Sequence, residues 1–240
     1  MQAKTPGIII HSLRYSDSAN IVTAYTQQFG RVSYMAYGSS KKKSAWRNSL
    51  LQPLSVVELD VFYNQNKDIQ RLKEVRCDIP LIDIPSNPVK NVIAIFIAEI
   101  LYRTLHNQEA DESLFLFLKQ SIQTLEENDN GIANFHLVFL MKLSRFLGFN
   151  PNTETGSEGY FDLENGIFSL YQPKHPQYLS KELSGKILLI IKSDYFTMDK
   201  LIFSRQERVE ILEAIIEFYK LHVPNFRGLN SLEVLQSLFD

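Results

Sequence analysis

The chain has 240 residues, 45% hydrophobic and 22% charged, with a formal net charge of −2; it sits inside the globular range and away from disordered or collagen-like compositions. Its single cysteine, Cys77, excludes an internal disulfide and cannot by itself supply a thiolate metal site; a small buried residue is expected there. No apolar stretch approaches the ~20 residues that span a bilayer, and the opening MQAKTPGIII lacks the long apolar core of a secretory signal, so a cytoplasmic protein with no membrane partner is expected.

The first eighty residues alternate with period two between turn residues, which predicts strands. Gly7 to Leu13, Ile21 to Thr26 and Arg31 to Tyr37 are the first three, with Gly30 turning the chain between the second and third. A basic loop follows: Gly38-Ser39-Ser40-Lys41-Lys42-Lys43-Ser44-Ala45-Trp46-Arg47. Beyond it Val57, Leu59, Val61 and Tyr63 share one face of a fourth strand, with Glu58 and Asp60 on the other. Asn64 to Asp68 make a turn, and Ile69 to Arg76 form the fifth strand. Five short strands suit a small closed barrel of OB-fold size, which leaves no exposed edge. An SH3-like barrel fits the count nearly as well.

Pro80, Pro85 and Pro88 punctuate the link that follows, and beyond it the hydrophobic period changes from two to 3.6, which sets the expected domain boundary at residues 80/81. Asn87 and Pro88 are suited to cap and begin a helix carrying Val89, Val92, Ile93, Phe96, Ile97, Ile100 and Leu101 on one face. A second run carries Leu114, Phe115, Leu118, Ile122 and Leu125. A third starts near Gly131 and ends at Leu147-Gly148-Phe149, the order of a left-handed glycine cap with an apolar follower. Residues 152–173, rich in glycine and aromatics, predict an irregular excursion or hairpin. Helices resume near Gln177, and Ser204 with Glu207 forms a capping-box pattern that Asn230 and Glu233 repeat. The expected architecture is therefore α+β: a five-stranded barrel over 1–80 and a helical domain over 81–240 with a short β excursion.

The charge is unevenly spread. Residues 1–80 hold 11 of the 25 Lys+Arg and 6 of the 27 Asp+Glu, a net of +5 that leaves −7 for the remainder. A cation cluster on a small β-domain points to a polyanion. No phosphate-binding P-loop, dinucleotide fingerprint, HExxH or GxSxG elbow is present. The five histidines match no common ligand spacing, and the pairs Asp111-Glu112 and Glu126-Glu127 fall at helix ends or loops, where solvation is expected. An enzyme is not indicated.

The order of motifs resembles the RecO family of bacterial recombination mediators. Gly7-Ile8-Ile9-Ile10-His11, Tyr15-Ser16-Asp17-Ser18 and Ile21-Val22-Thr23 resemble its opening; Phe29-Gly30-Arg31-Val32, the basic loop and Leu51-Gln52-Pro53-Leu54 are the most distinctive part. Leu147-Gly148-Phe149 and Leu229-Asn230-Ser231-Leu232 extend the likeness into the helical half. The resemblance implies an amino-terminal OB-fold, binding of single- and double-stranded DNA, and annealing of complementary strands. It also implies a part, with the RecR protein, in helping RecA replace single-stranded-DNA-binding protein (SSB), without nucleotide hydrolysis. Many relatives carry a zinc-binding cysteine cluster just after the Leu-Gly-Phe segment. Here Thr153 to Gly159 hold no cysteine, so no zinc and no other cofactor is expected.

The candidate DNA contacts are Lys41, Lys42 and Lys43 on a glycine-serine loop, and Arg47, whose planar fork suits phosphate. Arg31 is expected at the start of the strand feeding the loop, and Arg14 in the turn after the first strand. Trp46 either stacks on a base, worth ~1–3 kcal/mol, or anchors the loop to the barrel; Tyr34 and Tyr37 are likewise open between core and platform. Lys142 and Arg145 are candidates for the acidic SSB tail. The rival reading is an interaction scaffold whose basic barrel binds an acidic protein partner and not DNA.

Overall fold

The computed structural model describes residues 1–37, 49–106, 108–153, 159–226 and 228–237. Two compact units are present, Met1–Glu127 and Asn128–Asp240. The first holds five strands: β1 (Gln2–Ser16), β2 (Ala19–Thr26), β3 (Gly30–Tyr37), β4 (Val56–Phe62) and β5 (Ile69–Ile79). They close into a barrel in the order β1-β2-β3-β5-β4. The β3–β5 pair is parallel and the other pairs are antiparallel. This is the OB-fold, and the SH3-like alternative is set aside.

β1 runs to 15 residues, well past the expected Gly7–Leu13, because it serves two neighbours. Gln2 to Ile8 pair with β4 while Gly7 to Ser16 pair with β2, and a register shift between Ile9 and His11 interrupts the alternation that period-two reasoning follows. Inside the barrel Val22, Ala24, Tyr34, Ala36, Val57, Leu59, Val61, Leu72 and Val75 form one buried cluster, each aliphatic contributing roughly 1.5–3 kcal/mol by leaving water. Tyr34 is therefore a core residue. Leu51 and Leu54 are buried with the barrel, and Leu54, in the left-handed region at φ 63°, is held by its N–H on the Ile9 carbonyl at 2.7 Å. That contact locks the chain where it returns after residue 48. Cys77, expected inside, is exposed on β5 beside an open cleft that Ile84 and Ile95 also line.

Three helices complete this unit: α1 (Asp83–Ser86), α2 (Pro88–Thr104) and α3 (Glu112–Glu127). The Asn87 side chain caps α2 by accepting from the N–H groups of Val89 at 2.9 Å and Lys90 at 3.4 Å. Asp111 does the same for α3, accepting from Ser113 and Leu114. Glu126 corrects the expectation of a solvated carboxylate. It accepts from the N–H groups of Ile82, Asp83 and Ile84 at 2.6, 2.7 and 2.9 Å and so caps α1 from a distant helix. Burial opposes its ionisation, but those three donors and Lys90 outweigh burial and hold the carboxyl below its usual range. The compact unit thus extends to Glu127, beyond the β-domain expected to end at residue 80, because α2 and the segment before α3 are bonded to the barrel.

The second unit contains α4 (Phe135–Phe146), entered through a 3-10 turn at Ile132–Asn134, then a hairpin of β6 (Tyr160–Asp162) and β7 (Ile167–Ser169). After it come α5 (Lys181–Lys192), α6 (Arg205–His222) and α7 (Leu232–Ser237). α4 ends as its sequence predicts: Gly148 is left-handed at φ 85°, and the Phe149 N–H reaches back to the Ser144 carbonyl at 3.1 Å. The Ser204–Glu207 capping box is formed in both directions, and residues 152–173 contain the hairpin. Among the described residues no helix is long and apolar enough to cross a membrane.

Candidate nucleic-acid interface

Register across the barrel sorts the outer face into rows, since directly paired residues point to the same side. One row runs Leu13–Ile21–Met35–Arg71–Phe62 across β1, β2, β3, β5 and β4. Another, two residues earlier on β3, runs His11–Thr23–Ser33–Ile69. The earliest holds Ile8, Tyr25 and Arg31.

α2 and the segment after it cover the earliest row. The Arg31 guanidinium donates to the Tyr102 carbonyl at 2.9 Å, lies 3.0 Å from His106 Nδ1, and sits over the Tyr102 ring at 4.7 Å. The His11 ring lies 4.6 Å from the Tyr102 ring, tilted against it by 33°. The buried Tyr25 donates its hydroxyl proton to the Glu109 carbonyl and accepts from the Asp111 N–H, both at 3.1 Å. Burial pushes that phenol up to about 12. Burial and the Arg31 charge also hold His11 and His106 below the usual imidazole range.

The far end of β3 is open. A cleft of about 620 Å³ lies between the β1–β2 turn and the segments flanking residues 38–48, lined by His11, Arg14, Asp17, Asn20, Tyr37 and Gln52 among others. Arg14 is exposed there, ion-paired with Asp17 at 2.7 Å. Tyr37 belongs also to a neighbouring groove of about 500 Å³ that holds Met35, Phe62, Lys67, Ile69 and Arg71.

The structure brings together only part of the expected contact set. Arg14 lies within β1, paired with Asn20, and not in the turn after it; it shares the cleft with Tyr37. Arg31 does not join them. It stands six residues from Tyr37 on an extended strand, a backbone distance of about 20 Å, with its guanidinium engaged by α2. Lys41, Lys42, Lys43, Trp46 and Arg47 lie outside the described residues. Lys142 and Arg145 are on α4 in the second unit, Lys142 with its ammonium 5.9 Å from the Tyr195 ring and Arg145 exposed. Sequence reasoning did not bring Phe62 and Arg71 together on the outer face. Phe62 occupies the parity of Glu58 and Asp60, so an aromatic on the polar face was the available signal.

Family comparison fits this barrel and its helical sequel. Residues 1–78 match the family described as "Recombination protein O N terminal", and residues 85–233 match "Recombination protein O C terminal". The chain belongs to the RecO family. Its relatives in the family include the DNA repair protein RecO of Phocaeicola vulgatus, 42% identical over 240 residues, and that of Bacteroides fragilis, 40% identical over 242, each match covering all of both chains. The RecO protein of Flavobacterium johnsoniae is 30% identical over 240 residues, again over all of both chains. The two family matches meet between residues 78 and 85, near the change of hydrophobic period, whereas the compact units divide after Glu127.

The one cysteine is on β5, and among the described residues no group of His, Cys, Asp or Glu could hold a metal ion. In the hairpin region Asp162 instead accepts from the N–H groups of Glu164 and Asn165, both at 3.0 Å, from the Asn165 amide at 2.8 Å, and lies 3.1 Å from His175 Nε2. Residues 154–158 lie outside the described set.

Proposed function

We propose that this chain is a recombination mediator that binds single- and double-stranded DNA, anneals complementary strands and, with RecR, helps RecA replace SSB in the bacterial cytoplasm. The observation that supports the DNA-binding reading most is the cleft at the open end of β3. Arg14 lines it together with Tyr37 and Leu51, which flank the segment carrying Lys41, Lys42, Lys43, Trp46 and Arg47. A cation-rich segment in an OB barrel suits a polyanion, and OB barrels of this size commonly bind oligonucleotides. Annealing asks for less than catalysis does: two complementary strands repel, and a basic surface that screens both long enough to nucleate pairing is sufficient. It needs no activated nucleophile and no metal; zinc in stoichiometric amount by elemental analysis would sink the cofactor-free part of the proposal. Arg31 is left out of the contact set because α2 engages it. The acidic SSB tail is assigned to the second unit, with Lys142 and Arg145 as its cationic contacts, and co-purification with RecR and SSB tests the partners.

The test of the DNA site is the triple variant Lys41→Ala, Lys42→Ala, Lys43→Ala in polarisation titrations with labelled single strands at several salt concentrations. Affinity is expected to fall for every sequence, and the salt slope to flatten by roughly 0.7 for each lost phosphate contact. Unchanged affinity and slope would remove the loop from the site.

A further inference from the structure

We propose that the uncovered outer face of the barrel, carrying Phe62, Arg71, Met35 and Tyr37, is a base-stacking platform that makes the chain prefer single-stranded over duplex DNA. The inference rests on the reading that the barrel binds DNA, and deepens it by separating two kinds of contact.

The register places Met35, Arg71 and Phe62 side by side on β3, β5 and β4, pointing away from the core. On β4 the same outward parity otherwise holds Glu58 and Asp60, and no core lies on that side to recruit an aromatic. Phe62 is nonetheless 41% exposed, and Tyr37, two residues beyond Met35, is 52% exposed. The Arg71 guanidinium lies 5.7 Å from the Phe62 ring centre, so a planar cation and an aromatic ring stand together at the surface. The groove along this face holds the cations Lys67 and Arg71 and the amides Asn64 and Gln70, and no carboxylate is among its described lining residues. Apolar planes bordered by cations match a strand whose bases are unpaired and whose backbone is anionic. An acidic peptide would match the cations and leave the exposed rings without planar partners.

Continuity supports the same occupant. Tyr37 borders both this groove and the cleft of Arg14, so a strand held at that cleft can run onto the platform without leaving the surface. Phe62 and Met35 are two strand spacings apart, about 10 Å, and Tyr37 lies about 7 Å further along β3; a strand laid across meets the planar groups in turn. Duplex bases are already stacked and paired, so a duplex can use the phosphate contacts and not the platform. The phosphate contacts then supply affinity for either form, and the platform supplies the choice between them.

The experiment uses the full chain and three labelled ligands, an oligothymidylate, an abasic strand of equal length and a duplex, each titrated at several salt concentrations, with the triple-lysine variant on the oligothymidylate as reference. Phe62→Ala, and Phe62→Ala with Tyr37→Ala, are expected to weaken oligothymidylate binding by about five- to hundredfold, while abasic-strand and duplex affinities stay within about twofold and the salt slope is unchanged. Phe62→Tyr should retain binding. Arg71→Lys, which keeps the charge and loses the plane, should lose oligothymidylate affinity and keep abasic affinity. Thermal melts that superimpose on the parent's establish that the fold is intact; where Phe62→Ala melts lower, Phe62→Leu replaces it. Equal losses on the abasic strand, or no loss on any ligand, overturn the platform even if the lysine variant confirms the DNA site. A parent chain that binds none of the ligands overturns both.

Discussion

Along β3 the outer face of one barrel meets two different surroundings. At its start Gly30 and Arg31 are pressed against residues 108–110 and α2; at its end Tyr37 is half-exposed and borders a cleft and a groove. Two arginines mark the contrast. Arg31 is held by a carbonyl, an imidazole and an aromatic ring, whereas Arg14 has one exposed carboxylate partner. Positive charge in the sequence therefore has two settings here, one that fastens a helix to the barrel and one at the exposed surface.

The largest effect should come from breaking the covered end. Gly30 is left-handed at φ 65°, and a Cβ there would lie 2.4 Å from the Gln108 carbonyl oxygen and within 2.7 Å of two further backbone atoms. Gly30→Ala is expected to cost about 3 kcal/mol or more, as left-handed strain adds to overpacking against rigid backbone; urea unfolding measures it, and a loss under about 1 kcal/mol would mean the segment is not pressed on the barrel.

Arg31→Ala should come next, at about 2 kcal/mol, from lost charge-assisted hydrogen bonds and the ring contact. The same variant carries a pH signature. His11 and His106 are held below 6.5 by burial and by the Arg31 charge, so below about pH 6.5 the unfolded chain binds more protons than the folded one. Stability from this source is full above that pH and falls as pH drops. Arg31→Ala should flatten that slope in melts between pH 7 and pH 5. DNA affinity that fell with stability unchanged would reverse the assignment of Arg31.

The smallest stability effect belongs to Arg14. Its ion pair with Asp17 is fully exposed, so Arg14→Ala should change stability by less than about 0.5 kcal/mol. DNA affinity should nevertheless fall, with a shallower salt dependence. A stability loss as large as that of Arg31→Ala would erase the contrast between the two ends.

Much of this fold is legible in the chain because its signals are local. Asn87-Pro88, Ser204 with Glu207, and Leu147-Gly148-Phe149 each satisfy backbone groups within a few residues, and each forms as its spacing predicts. Glu126 was not legible, since its three N–H donors come from residues more than forty positions earlier. The candidate site divides in the same way. Arg31 is near Tyr37 in sequence and remote from it in space because a strand is extended, while Phe62 and Arg71 become neighbours only through pairing.

By itself the sequence determined that a basic β-barrel precedes a helical half, since period and composition are properties of short windows. The order of its motifs carried the family as well. Only the tertiary structure decided which cations are occupied and which aromatics face outward. Those outcomes depend on strand register and on where α2 lies, and closing the barrel couples residues that no local window contains.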